Sequence, residues 1–275
     1  MSGQSRRSIW SLPRLALRVT QKLTWAASFG GLYLASLCHR SLSSRILIVS
    51  DSRGLNLTGR SVLRYADRLS CRYRSTRRLY PKKWTTIADL YELLEGSETG
   101  AYDVIIAHVG ISDFSPRGVE STHRIYREKQ HGYDALFGGD AMRRHLATDL
   151  GTPYEGEPTN SMFSLEMLKE RLIPWLASQS RLVYVVGNPI LRDWQGDYWR
   201  PRPDNIEMAN LYMTELAAAL PRTFSCMNWT RAEILSHTTD SVHLNSLGHG
   251  IYARALDEIC GKIIAGRGDA DKHRS

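Results

Sequence analysis

Three short, unbroken apolar runs punctuate the chain: "RILIVS" at 45–50, "DVIIAHVG" at 103–110 and "RLVYVVGN" at 181–188. Runs this short, rich in β-branched residues and stopped by Ser, Gly or Asn, predict strands covered on both faces, as in a parallel sheet. "CRYRSTRRLY" at 71–80 alternates with arginine and predicts a strand nearer an edge, while "TFSCMN" at 223–228 is a weaker fifth candidate.

Between these runs the period changes from two to that of a helix. "SVLRYADRL" places Val62, Leu63, Ala66 and Leu69 on one helical face, and "TTIADLYELLEG" predicts a short helix ending at Gly96. "DNIEMANLYMTELAAAL" predicts an amphipathic helix with Asp204 and Glu207 as a capping-box-like start. After Asn245, the residues Leu247, Ile251, Ala255, Ile259 and Ile263 line a closing helix. Strands alternating with helices imply an α/β fold, a three-layer α/β/α sandwich around a mostly parallel five-stranded sheet. The domain is expected over 45–265, with a basic and apolar appendage at 1–44 and a frayed, flexible tail at 266–275. Residues 115–161, rich in Gly, Arg, His and Tyr, interrupt the rhythm directly after the third strand. A long irregular insertion at that place is expected to serve as a lid or substrate-binding loop.

Composition sharpens the outline. At 275 residues and 42% hydrophobic, the chain supports one large domain with a full core. Cys38, Cys71, Cys226 and Cys260 are scattered, with no zinc-like Cys/His spacing. They read as reduced thiols, and neither a metal nor a cofactor is expected. The net charge is +8, and the positive residues are dispersed, densest at Arg6–Arg7, the 72–78 arginines with Lys82–Lys83, and Arg200–Arg202. No recognition helix or zinc finger accompanies them, so the reading is a solvated basic surface and no nucleic-acid partner.

Arg6, Arg7, Arg14, Arg18 and Lys22 precede an uncharged stretch from Leu23 to Cys38. It is shorter than the roughly 20 apolar residues a bilayer span requires. "SLCHRS" offers no convincing cleavage site, and Leu37 before Cys38 does not suit a lipoprotein. An interfacial or packed helix ranks first, an uncleaved anchor second and a cleaved signal third. Membrane-surface association through 1–44, in a cytoplasmic or membrane-associated rather than secreted protein, is the corresponding expectation. Oligomeric state is not legible.

The chemistry gathers after the strands. In a parallel sheet all carboxyl ends share one rim, so the segments after strands 1 and 3 converge. The first brings Ser50-Asp51-Ser52-Arg53-Gly54 and the second Gly110-Ile111-Ser112-Asp113; Asp240-Ser241-Val242-His243 precedes the last helix. A serine hydroxyl needs a base to become a nucleophile, a histidine suits that task near neutral pH, and a carboxylate orients the histidine. Taken alone, Ser52 reads as a helix cap, His243 as a structural histidine and Asp240 as a turn or cap residue; His108, inside its strand, reads as a core histidine. Their joint occurrence favours the site.

These three segments, in this order, resemble the SGNH (GDSL-like) hydrolase superfamily, whose blocks carry Gly-Asp-Ser, Gly-x-Asn-Asp and Asp-x-x-His. The resemblance runs from about Arg45 to Ile264, and "DSVHLNSLGHGIYA" extends it through Asn245 and Gly248. It implies a flavodoxin-like sheet, with Ser52 as nucleophile, His243 as base and Asp240 as its orienting carboxylate. It also implies oxyanion or substrate-binding positions at Lys83, Gly110, Ser112 and Asp113. Ser50 stands where the family has glycine, Lys83 at the second-block glycine and Ser112 at the third-block asparagine. Losing one oxyanion donor costs on the order of 100- to 1,000-fold in kcat, which makes Ser112 the critical departure.

The activity so implied is a serine ester hydrolase, an esterase or deacetylase working through an acyl-enzyme on a short-acyl ester. Arg124, Tyr126, His131 and Tyr133 in the insertion, with Trp194, Tyr198 and Trp199, favour an acetylated carbohydrate as substrate. A carbohydrate O-acyltransferase and a non-catalytic binding or scaffold protein with a degenerate oxyanion hole are the alternatives.

Overall fold

The computed structural model of the chain describes residues 41–55, 62–79, 85–198 and 201–272, together with Gly30 and Leu34. Lys83, Trp199, Arg200, Cys38 and nearly all of 1–40 lie outside the described residues. Strand β1 (Ser41–Ser50) begins four residues before the expected domain start, and β2 (Tyr73–Leu79) pairs with it in parallel along the outer edge. With β3 (Val104–His108), β7 (Leu182–Gly187) and β8 (Thr223–Ser225) they form one parallel sheet in the order β2-β1-β3-β7-β8. The short strands β4 (Arg117–Gly118), β5 (Pro153–Tyr154) and β6 (Glu157–Asn160) make a separate antiparallel sheet.

Alternation inside β1 explains why its apolar run is continuous. Ile46 and Ile48 face one core with Val104, Ile106, Val183 and Val185. Leu47 and Val49 face the other with Ile105, Ala107, Leu182 and Tyr184. Successive strand side chains point to opposite faces, so a strand sandwiched between two helical layers has no solvent side to make polar. Each such side chain contributes roughly 1.5–3 kcal/mol when fully buried.

Helices α1 (Tyr65–Ser70) and α11 (Ser246–Lys272) cover the first face, with Tyr65, Ala66, Leu69, Tyr252, Leu256 and Cys260 as the contact. The contact stripe of α11 differs from the expected one. Leu247 is 62% exposed, while Tyr252, Ala253, Leu256 and Cys260 are buried, so the helix is rotated away from the Leu247–Ile251–Ala255 line. A mixed helix carries several partial stripes, and only the sheet beneath it selects one. The backbone of α11 also stays helical to Lys272, through the stretch expected to fray.

The second face is covered by α2 (Ile87–Glu95), by the continuous α7 (Leu165–Met167), π-turn (Leu168–Leu172) and α8 (Ile173–Ser178), and by α9 (Met208–Ala219). Helix α9 starts at Met208 rather than at an Asp204–Glu207 box, and the Glu207 carboxylate accepts the Arg192 N–H at 3.3 Å instead. α10 (Arg231–His237) does begin with a reciprocal capping box, between Thr230 and Glu233.

The insertion is ordered rather than irregular. After the one-turn α3 (Ile111–Phe114) it forms β4, α4 (Val119–Glu128), α5 (Gln130–Phe137), α6 (Gly139–Leu146) and the β5–β6 hairpin. Ile125, Tyr133, Phe137, Met142 and Leu146 join the same core as the sheet. Its low apolar content hid three short amphipathic helices that share one buried side. No helix among the described residues is long and apolar enough to cross a membrane.

Candidate active site

The sheet order places β1 between β2 and β3, so the chain leaves β1 toward one side and returns on the other. That reversal opens a crevice at the carboxyl ends of β1 and β3, where open α/β sheets bind ligands. Ser52 begins a 3-10 turn (Ser52–Gly54) that Asp51 caps by accepting the Arg53 N–H at 2.9 Å. Asp51 and Arg53 are both buried and pair at 2.9 Å, and Arg53 Nη1 donates to the Val186 carbonyl at 3.0 Å. This brace ties the serine turn to the end of β7. Burial lowers the Arg53 pKa, but Asp51 outweighs it and holds the guanidinium above its ordinary value. Ser50 is fully buried, with its hydroxyl 3.1 Å from the Asp51 carbonyl oxygen and 3.3 Å from that of His108.

His243 arrives on the turn between α10 and α11. The Asp240 Oδ1 accepts both the Val242 and His243 N–H groups, at 2.9 and 2.7 Å. Asp240 Oδ2 lies 2.6 Å from His243 Nδ1, and His243 Nε2 lies 3.1 Å from Ser52 Oγ. Burial works to raise the Asp240 pKa, but the imidazole and the two amide donors hold it below the usual carboxylate range. Asp240 therefore carries its charge at neutral pH and, as an acceptor only, holds the ring with Nδ1–H toward the carboxylate and Nε2 toward Ser52. The arrangement is that of a serine whose proton has an acceptor and whose acceptor has an anchor.

A cavity of about 140 Å³ opens beside this line, with Ser52, His243, Ile111, Ser112, Val242 and Ile206 along its inner wall. The insertion supplies the outer wall through Ser115, Arg117, Ser121, Tyr154 and the glutamates 155 and 157. Of the four expected oxyanion or substrate positions, Ser112 lines the cavity and Lys83 lies outside the described residues. Gly110 sits just behind, at φ 108°, where an added Cβ would meet the Phe114 ring at 2.6 Å and the Tyr184 hydroxyl at 2.9 Å. Only glycine fits there.

Asp113 is turned elsewhere. It is fully buried and absent from the cavity wall, with Oδ2 accepting the Ile87 N–H at 3.1 Å and Oδ1 the Tyr133 hydroxyl at 2.6 Å. Burial pushes its pKa up to about 7 despite these two donors. It joins α3, α2 and α5 rather than meeting substrate. His108 is a core histidine: burial and the nearby Arg53 hold it well below its ordinary pKa, and Tyr65 Oη lies 3.2 Å from its Nδ1.

The aromatic and polar groups read as a sugar platform are dispersed. Tyr133 is buried on Asp113, Tyr126 is buried against Asp134, and Arg124 and His131 are exposed away from the cavity. Trp194 does not line the cavity, whereas Tyr198 does. Its ring stacks on His243 with centroids 6.2 Å apart and planes inclined by 20°.

Sequence patterns missed the loop residues at 189–198 and 201–207. Among them Gly196 approaches the 238–243 turn so closely that an added Cβ would stand 2.0 Å from the Thr239 carbonyl oxygen. Asp197 N–H donates to that oxygen at 2.9 Å, Asn188 Nδ2 to the Ser241 carbonyl at 2.9 Å, and Leu191 N–H to Ser241 Oγ at 3.1 Å. Arg202, expected on a solvated basic surface, has a side chain only 5% exposed and reaches the same turn. The one signal was a density of Pro, Gly and Arg after the fourth strand, which names a loop but not its target.

No family model and no curated protein matches the chain. Solved structures similar to it include the following two. An inhibitor-bound aryl esterase of M. smegmatis is 15% identical at a TM-score of 0.41, over 80% of this chain and 99% of its own. A gut microbial diltiazem-metabolizing enzyme is 12% identical at a TM-score of 0.40, over 79% of this chain and 47% of its own, so the chain spans about half that enzyme's length.

Proposed function

We propose that this chain is a serine ester hydrolase of the SGNH type, acting on short-acyl esters through an acyl-enzyme. The observation that carries the reading is the unbroken line from Ser52 Oγ through His243 to Asp240, at 3.1 and 2.6 Å, on the wall of a cavity.

In this reading Ser52 Oγ attacks the ester carbonyl while His243 Nε2 takes the hydroxyl proton. Asp240 accepts the Nδ1–H bond and stabilises the imidazolium. The tetrahedral intermediate collapses as the C–O bond to the alcohol breaks and His243 returns the proton to the leaving oxygen. Water then repeats the sequence on the acyl-Ser52 ester and releases the acid. Ser112 supplies an oxyanion donor from its place on the cavity wall.

The small cavity supports a short acyl group such as acetyl rather than a long chain. Serines 112, 115 and 121, Arg117 and the glutamates 155 and 157 supply polar partners for a hydroxylated alcohol, which supports an acetylated carbohydrate. The test is p-nitrophenyl acetate turnover by the wild type and Ser52→Ala, with fluorophosphonate labelling of wild type and His243→Ala. The expected result is a loss of at least about 1,000-fold in Ser52→Ala and labelling only in the wild type. Equal turnover by wild type and Ser52→Ala would sink the reading.

A further inference from the structure

Arg202 is a nearly buried cation facing a buried carboxylate, and the acyl-transfer scheme does not use it. Its Nη1 donates to Ser241 Oγ at 2.7 Å and to the Leu191 carbonyl at 3.4 Å, and its Nη2 donates to the Asp240 carbonyl. Nη2 also lies 3.8 Å from Asp240 Oδ1, the oxygen not bonded to the imidazole. The guanidinium sits 5.0 Å from the centre of the Tyr198 ring, which stacks in turn on His243. Cation, ring and imidazole thus form one layered stack, with the carboxylate beside it.

The bonded turn needs such support. Ser241 holds φ 62°, a left-handed conformation that costs of order 1–3 kcal/mol outside glycine and persists only where its surroundings over-determine it. Ser241 stands between the Asp240 carboxylate and the His243 ring, which meet at 2.6 Å across this turn.

We propose that Arg202 is a positioning residue for Ser52, His243 and Asp240: its fork shapes the 240–243 turn, and its fixed charge beside Asp240 moderates the carboxylate's pull on the imidazolium. The consequence is a sign. A cation beside the relay disfavours the charged imidazole, so removing that cation favours the imidazolium. Burial lowers the Arg202 pKa, but an arginine remains protonated across the working range. The other groups around His243 do not compete in that range. Burial holds His108 well below its ordinary pKa and pushes His249 down to about 3, and Asp51 is paired with Arg53 at 2.9 Å.

The effect on turnover rests on the ester-hydrolase reading, but the effect on the ring does not. The His243 ring titration is followed by NMR in the full chain and assigned by its disappearance in His243→Gln. Arg202→Gln retains donors for the turn without the charge; Arg202→Lys retains the charge without the fork. Arg202→Gln is expected to raise the midpoint by about one pH unit. Arg202→Lys is expected to leave it within about 0.3 unit while lowering Tm by about 2–4 °C. With p-nitrophenyl acetate, the acid limb of kcat/KM in Arg202→Gln moves up by the same amount as the ring. An unmoved midpoint in Arg202→Gln, or an equal rise in Arg202→Lys, overturns the charge role, and a wild-type Tm in Arg202→Lys overturns the fork. Should Arg202→Gln not fold, Arg202→Lys decides by its midpoint and Tm. A wild type with no Ser52-dependent turnover refutes the ester-hydrolase reading alone, because the ring titration still judges Arg202.

Discussion

Asp240 carries two duties with its two oxygens, and they separate by substitution. Oδ1 closes the turn on two backbone amides, while Oδ2 holds the imidazole. Asp240→Asn can keep an acceptor for the amides, but the group facing Nδ1 becomes either a weaker neutral oxygen or an NH2 that reverses the ring's tautomer. We expect kcat for p-nitrophenyl acetate to fall on the order of 10,000-fold in Asp240→Asn with KM little changed. A KM effect of that size instead would assign Asp240 to binding. The place of Ser52 just beyond β1 was legible from the apolar run that stops at Ser50, and its pairing with Asp240 and His243 was legible only from their joint occurrence. Arg202 was not legible, since an arginine flanked by prolines looks alike whether it is solvated or inserted beneath another loop.

At the scale of elements, Asp113 links three helices that the chain visits far apart. It accepts from the first turn of α2 at Ile87, lies on α3 beside Ser112, and receives the Tyr133 hydroxyl from α5. With its pKa raised to about 7 by burial, the native state holds a proton that the unfolded chain has already released above about pH 4. The sign follows: stability falls as pH rises from about 4 to about 7 and levels off above that, by on the order of 4 kcal/mol for an isolated group. Asp113→Asn removes the titration and offers the Tyr133 oxygen a donor. Urea unfolding between pH 4 and 8 is expected to show a flatter profile in that variant; an unchanged slope would place the titration elsewhere. The sequence presented Asp113 as part of a motif at the rim, and the helical turn of α3 rotated it inward while leaving Ser112 on the cavity.

Among the described residues the parallel sheet separates two cores, and the insertion belongs to one of them. Phe163 is fully buried where that core meets the insertion, 4.6 Å from Phe137, 6.1 Å from Phe114 and 6.0 Å from Tyr212 between ring centroids. Truncating such a ring leaves a cavity between layers, so Phe163→Ala should cost about 3–5 kcal/mol. Because Ile125, Tyr133 and Met142 share the same core, calorimetry of the wild type and the variant is expected to show a single transition, moved down together. A separate low-temperature transition in the variant would mean that 115–161 folds as an independent lid.

The sequence by itself determined the five strands of the main sheet, their parallel arrangement and the identity of the three segments that meet at the rim. Those features are written locally: a buried strand must be apolar on both sides, and a parallel sheet sends every carboxyl end the same way. Tertiary structure alone decided which face of α11 is buried, that 115–161 is helical and part of the core, and that Asp113 turns inward. It also decided that Arg202 and Gly196 shape the turn bearing His243. Each of these depends on what another part of the chain presents at contact distance, and a short polar or mixed segment carries no period strong enough to reveal its partner beforehand.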